Sequence, residues 1–462
     1  MVFSSIPFLF IFLPVVLIVY HVLPKKARNL FLLAANLIFY AYGEPLYVFL
    51  MISSIILNYI GAIVVEKSKD SRQKKILLAV FIVLNLAALG YFKYTGLVLD
   101  LLRKIPSLEQ IPLYEIVLPI GISFYTFQAM SYVIDVYRGG CTAEYNLIDF
   151  AAYISLFPQL IAGPIVRYSD VSDQLGSRKE SLKDFENGIY LFLIGLSKKV
   201  LLANRFGTLW AQISAAPGDF GLLGAWFGAL AYTFQIYFDF AGYSDMARGL
   251  GKMMGFDFCI NFNYPYIAKS VTDFWHRWHI SLSTWFRDYV YIPLGGNRVG
   301  KLRFIFNIIV VWSLTGLWHG AGLNFICWGL YYGIILLVEK LLLGKLLKRL
   351  PVIISRMYTL LVVIIGWIFF AAESFEKAKE YLTSMFTAAN GIWGSAPQNI
   401  AWLPMLIIGA ICSTPLFAHI FKKTEGRWIE FPIKLILIVL ALVFCTASLV
   451  SESYNPFLYF RF

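Results

Sequence analysis

The sequence predicts an all-α polytopic membrane protein, and three observations carry that prediction. Of its 462 residues, 59% are hydrophobic. Only 14% are charged, whereas a soluble domain runs near half apolar and a quarter charged. The apolar residues also gather in runs that approach the ~20 residues a helix needs to cross a hydrocarbon core of roughly 30 Å. The candidate spans are Ser5–Leu23, Leu30–Tyr42, Leu46–Val65, Ile76–Tyr94, Ile116–Val136, Phe150–Val166, Gly188–Leu202, Leu222–Ala247, Phe304–Trp318, Leu323–Leu343, Val352–Ala371, Trp402–Phe421 and Ile433–Val450. Some are too short or too rich in glycine to cross cleanly. The expectation is about 11 crossings with one or two re-entrant or interfacial pieces around a central tunnel.

The first run has no basic segment before it and no small-residue cleavage site after it, so it reads as a retained span. Pro158, Gly163 and Pro164 interrupt Phe150–Val166 and mark it as re-entrant. Such broken backbone is tolerated at membrane depth only where protein or a water-filled cavity satisfies it. Lysines and arginines orient the chain. Lys25, Lys26 and Arg28 follow the first span, and Lys67, Lys69, Arg72, Lys74 and Lys75 follow the third. With these loops cytoplasmic, the N-terminus and residues 452–462 lie on the outer face. The whole of 1–462 reads as one integral-membrane domain with an extracytoplasmic aromatic tail. The formal net charge of +12 is then an orientation signal and a contact for anionic lipid headgroups, not a nucleic-acid footprint. The five scattered cysteines suggest neither a disulfide framework nor a thiolate metal site.

The segment Tyr264–Asn297 is too polar to span. It alternates aromatics with charges and hydroxyls, and reads as an interfacial or re-entrant amphipathic helix capped at Thr272 or Asp273. His276 and His279 fall in it as H-x-x-H, a spacing that puts both on nearly one helix face. A metal there would need a third ligand such as Asp273 or His319, and no H-E-x-x-H pattern is present. Gly295-Gly296-Asn297-Arg298 has the look of a turn, which is weak evidence for a phosphate site. Asp239 and Asp245 stand in or beside a span. They suit ion pairs with Arg248, Arg277 or Arg287, or the wall of a polar tunnel.

His319 is the most informative residue. It lies in Trp318-His319-Gly320 at the end of an apolar run. A titratable ring at membrane depth is costly unless it pairs, lines a cavity or does chemistry. Neutral imidazole, with a reference pKa near ~6.5, suits a general base. The flanking Gly316, Gly320 and Gly322 allow close approach of a substrate or another backbone. The tail Phe457-Leu458-Tyr459-Phe460 suits either interfacial anchoring or, through Tyr459, a nucleophile. At about 3.3 Å per extended residue it reaches back roughly 20–25 Å.

Taken together, YFDFAGYSD (Tyr237–Asp245), NFNYPY (Asn261–Tyr266), DFWHRWHISLSTWFRD (Asp273–Asp288), YIPLGGNR (Tyr291–Arg298), LWHG (Leu317–Gly320) and FPQLIAGPIV (Phe157–Val166) resemble the membrane-bound O-acyltransferase superfamily. The similarity is to its bacterial alginate, peptidoglycan and polysaccharide O-acetyltransferase branch, and it covers nearly the whole chain. It implies a ring of tilted helices around a thin, funnelled centre. It also implies a bacterial cytoplasmic-membrane enzyme with catalytic His319 and His279 and no bound cofactor or metal. Asp245, Arg277, Arg287, Asn297 and Trp318 would support substrate and tunnel. The position of His276 is usually arginine in this branch, which argues against a role for that ring.

The resemblance further implies transfer of an acyl group, acetyl in this branch, from a cytoplasmic donor, acetyl-CoA or an acyl-carrier thioester. The acceptor would be hydroxyls of a cell-surface polysaccharide, reached through an extracytoplasmic SGNH- or DHHW-type partner. Phe457–Phe460 matches an F-x-Y-F motif that serves related systems as an acyl relay. The rival readings are a D-alanyl transferase fed by a carrier protein, a transporter or flippase of an acylated precursor, and a scaffold.

Overall fold

The computed structural model describes residues 1–112, 114, 116–388, 391, 392, 394, 401–451, 457 and 458. Among these, regular structure is helical throughout, without strands. Six helices are long and apolar enough to cross a bilayer: Tyr47–Lys67, Ser71–Arg103, Lys301–His319, Leu323–Arg349, Val352–Ala371 and Glu430–Ser451. A seventh forms if Leu403–Cys412 and Leu416–Lys422, bent by 54° at Ser413-Thr414-Pro415, count as one span. In Glu430–Ser451, large apolar side chains including Ile436, Val439, Val443 and Phe444 are exposed. An apolar surface of that kind is stable only against lipid or another protein.

The other expected crossings are not continuous apolar helices of that length among the described residues, for local reasons. The expected first span is a short helical run, Phe8–Val22. Phe150–Val166 breaks where its prolines and glycine predict. Leu147–Ser155 ends, Leu156 leaves helical geometry with ψ 106°, and Phe157–Leu160 resumes for one turn. Gly221–Met253 is a 33-residue helix carrying buried Asp239 as well as Asp245, Arg248 and Lys252, so its polarity is mixed.

The chain clusters into two compact units, Met1–Phe192 with Tyr243–Cys259, and Leu193–Gly242 with Ile260–Phe462. In the first unit, buried polar side chains satisfy one another or irregular backbone. Asn36 Oδ1 accepts the Phe157 N–H at 3.1 Å, and its amide donates to Ala152 O at 3.4 Å, so one side chain bridges the break at Leu156. Asn58 and Asn85 exchange reciprocal amide hydrogen bonds of 3.0 and 2.9 Å between Tyr47–Lys67 and Ser71–Arg103. Such bonds hold helices together where no water competes.

The second unit is built around the antiparallel neighbours Lys301–His319 and Leu323–Val338. They approach closely because glycines face backbone. A Cβ on Gly316 would press on the Phe325 carbonyl, and one on Gly329 on the Trp312 carbonyl. Gly90, in Ser71–Arg103, has nothing within 4 Å of an added Cβ. Gly329→Ala should therefore destabilise the detergent-purified protein by about 1–3 kcal/mol. Gly90→Ala should be neutral or stabilising by up to about 1 kcal/mol. Paired thermal unfolding curves check both, and equal melting temperatures would refute the close-packing account.

Candidate functional site

The polar segment after Asn261 is several short pieces, not one amphipathic helix. Ser270, rather than Thr272 or Asp273, caps Val271–Trp275, its side chain accepting the Asp273 N–H at 3.0 Å. The other free N–H groups of this helix start meet a distant acid. Glu339, buried in the following hairpin, accepts from Val271 N at 2.6 Å, Thr272 N at 2.9 Å and Thr272 Oγ1 at 2.8 Å. A carboxylate at a helix N-terminus is favourable both as a hydrogen-bond acceptor and as a charge.

The helix stops at His276, and the next, Ile280–Phe286, starts from His279 with φ 45°. A left-handed conformation in a residue other than glycine costs about 1–3 kcal/mol and persists only where surroundings enforce it. Here Asn261 enforces it. Its backbone carbonyl accepts the Ile280 N–H at 3.0 Å, and its Oδ1 accepts Ser281 N–H at 3.1 Å and Ser281 Oγ at 2.9 Å. The same oxygen lies 3.2 Å from His279 Nδ1.

That arrangement assigns the tautomer of His279. A backbone N–H can only donate, so the atom facing Ser281 must be the amide oxygen of Asn261, an acceptor. His279 Nδ1 therefore carries the proton, and the Nε2 lone pair is the ring's acceptor. Burial pushes the ring's pKa down to about 3, because a charged imidazolium is disfavoured away from water. His279 is a neutral, fixed-tautomer imidazole.

One indole joins this ring to the other histidine. The Trp318 ring lies 6.0 Å from His279 and 4.9 Å from His319. His319 is the last residue of Lys301–His319, where Gly320 turns extended. Trp328 and Phe370 meet its ring edge-on at 5.0 and 5.1 Å, and 7% of the residue stays accessible. Phe240 meets His279 edge-on at 4.7 Å. His279, Trp318 and His319 are thus brought together in one aromatic cluster.

His276 is not part of it. It is exposed while His279 is buried, so the shared helix face expected from H-x-x-H does not exist, because the helix breaks between them. Arg277 pairs with Asp273 at 2.8 Å, and Arg287 with its neighbour Asp288 at 2.6 Å. Asn297 accepts from Tyr291 Oη and, at 2.9 Å, from Lys340 Nζ. Gly295 and Gly296 both take positive φ, and Asn307 holds their turn through the carbonyls of Leu294 and Gly296, each at 3.2 Å. Asp239 pairs with none of the three expected arginines but with Lys199, at 2.6 Å. Asp245 belongs to the first unit and lies 3.8 Å from Arg248. Tyr459 falls outside the described residues. Among the described residues no group of three His, Cys, Asp or Glu side chains is arranged to hold a metal.

Sequence reasoning missed Asn261, Glu339 and Lys199 as site-shaping residues. Asn261 opens a noted motif, but its partner lies 18 residues on. Glu339 ends an apolar run and looks like a surface charge.

A sequence model of MBOAT, the membrane-bound O-acyltransferase family, matches residues 142–375, which contain both histidines. A Pseudomonas aeruginosa protein named probable alginate O-acetylase AlgI is 44% identical over 419 residues, covering 89% of this chain and 79% of that protein. A peptidoglycan O-acetyltransferase of Helicobacter pylori is 33% identical over 528 aligned positions, covering 100% of this chain and 98% of its own. A teichoic acid D-alanyltransferase of Streptococcus thermophilus is 35% identical over 247 residues, 49% of this chain and 58% of its own. The chain belongs to the membrane-bound O-acyltransferase family and is a multi-pass membrane enzyme.

Proposed function

We propose that this protein moves an acetyl group from a cytoplasmic thioester, acetyl-CoA or an acyl carrier, across a bacterial cytoplasmic membrane to hydroxyls of a cell-surface polysaccharide. The observation that carries the proposal is the pair of buried imidazoles on one indole, at the end of a membrane-length helix. Two histidines inside an apolar aromatic cluster are expensive to retain for packing alone. The similarity to proteins named for O-acetylation of alginate and peptidoglycan supports acetyl as the group and a polymer as the acceptor.

In this reading His319 is the general base. It takes the proton of the attacking hydroxyl as the oxygen bonds to the thioester carbonyl. The C–S bond then breaks and the departing thiolate recovers the proton. His279, already neutral with Nε2 as acceptor, orients or assists. Trp318 sets the spacing of the two rings. Arg277 and Arg287 lend positive charge to the donor's approach, Asn297 steadies the nearby turn, and Asp245 supports polar residues in its own unit. Residues 1–462 act as one membrane domain.

The first acceptor is the Tyr459 hydroxyl. A phenol has a pKa near ~10, so its ester is more activated than an alkyl ester. A serine of an extracytoplasmic SGNH- or DHHW-type partner, or a sugar hydroxyl, then attacks that ester and releases the phenol. D-alanyl transfer from a carrier protein is the second reading, favoured by the similarity of about half the chain to the D-alanyltransferase.

Two measurements on the purified protein in liposomes test this. With labelled acetyl-CoA, His319→Ala should reach wild-type yield yet lose at least ~100-fold of the transfer rate, on the scale of a lost general base. Unchanged transfer would sink the assignment of His319, and labelling only from a D-alanyl carrier would replace acetyl by D-alanyl. Mass spectrometry of the C-terminal peptide should find an added acetyl group in wild type and none in Tyr459→Phe. Full transfer to acceptor by Tyr459→Phe would reduce the tail to an anchor.

A further inference from the structure

A deeply buried ion pair in the second unit has a third party. Lys199 Nζ and Asp239 Oδ1 lie 2.6 Å apart, with side chains 3% and 4% exposed. Taking two such charges out of water is costly, and their attraction compensates only if the remaining lone pairs and protons are also engaged. The C-terminal segment does part of this. The backbone N–H of Leu458 donates to Asp239 Oδ2 at 2.8 Å, and the Phe457 ring stands 4.7 Å from Lys199 Nζ. Phe457 is itself 1% exposed. A cation over a desolvated aromatic face is worth more than the same contact in water.

The elements around the pair suit this role. Lys199 sits in a π turn, Lys198–Ala203. The last long helix, Glu430–Ser451, lies beside it, with Cys445 Sγ 3.7 Å from Ser197 Oγ. On the other side, the residue after Asp239 is Phe240, whose ring meets His279. The helix that receives the tail is the helix that touches His279.

We infer that the Lys199–Asp239 pair is a seat for the C-terminal segment, and that Asp239 is a positioning residue for transfer through the residue that follows, Tyr459. The inference rests on the acyl-relay reading above for its purpose, but not for its geometry. Recognition is of backbone and ring: a carboxylate oxygen takes an amide N–H, and an ammonium takes an aromatic face. A segment with an aromatic residue before the donated N–H meets both.

Hydrogen exchange read by mass spectrometry on the full-length protein in nanodiscs tests the seat without requiring turnover. Four proteins are compared: wild type, Tyr459→Phe, Leu458→Pro, and the double variant Lys199→Met/Asp239→Leu, which removes both charges together so that neither is left buried alone. In wild type and Tyr459→Phe the C-terminal peptide should exchange about tenfold or more slowly than in the other two, as expected for amides held in a closed structure. Exchange in Ser71–Arg103 should match in all four, which separates loss of the seat from loss of the fold. Should the double variant fail to fold, Leu458→Pro removes the donated N–H and lies outside every membrane-length helix.

Equal C-terminal exchange in wild type and Leu458→Pro overturns the seat. Transfer at the wild-type rate by a Leu458→Pro protein with lost protection overturns the positioning role. Full transfer by Tyr459→Phe with intact protection overturns the relay and leaves the seat standing.

Discussion

A single amide oxygen, Asn261 Oδ1, determines how the segment around His279 is built. Three donors converge on it, from Ser281 N, Ser281 Oγ and His279 Nδ1. With Glu339 closing the start of Val271–Trp275, it makes a helix break stable in an interior where neither end can turn to water. The left-handed backbone at His279 follows from that break, and so do the ring's tautomer and its place against Trp318. Replacing the oxygen by any donor would leave a backbone N–H facing another hydrogen, at the cost of a buried unsatisfied group.

The same solution recurs away from the histidines. Asn36 spans the break at Leu156 as Asn261 spans the one at His279, and Asn58 and Asn85 satisfy each other between helices. A carboxamide carries both donor and acceptor without charge, so it can complete irregular backbone at depth with no ionic desolvation. Charged residues in the interior are fewer and are held by specific partners: Glu339 by a helix start, Asp239 by Lys199.

What was legible in the sequence follows from this division. Local pattern revealed apolar helices well, and Val352–Ala371 has the same limits in both readings. Pro158 and Gly163 announced a break because their effect is confined to neighbouring backbone. His319 stood out because an imidazole in an apolar run has few structural uses. The H-x-x-H pattern misled because it assumed a continuous helix, and the residue that breaks the helix, Asn261, lies well upstream. Asp239 was matched to arginines near in sequence, while its partner Lys199 comes 40 positions earlier. Among the described residues there are fewer continuous membrane-length apolar helices than apolar runs in the sequence, because hydropathy counts apolar residues without knowing which are buried by protein, as Phe150, Tyr153 and Phe157 are.

In the proposed function, acyl transfer across a membrane poses a problem of access that a nucleophile on the tail would address. A thioester carried by CoA or a protein is too large and too charged to cross a bilayer, while an acetyl group is neither. Something on the far side must therefore reach inward. A diffusing nucleophile would have to find a buried base each turnover and give up translational freedom each time. A nucleophile on the enzyme's own chain gives that up once, on folding, and raises its effective concentration accordingly. The gain is realised only if the segment is held, since an untethered tail samples many positions. A buried carboxylate that accepts a tail amide, one residue from the phenylalanine that touches His279, is the kind of restraint that would hold a chain-borne nucleophile in position.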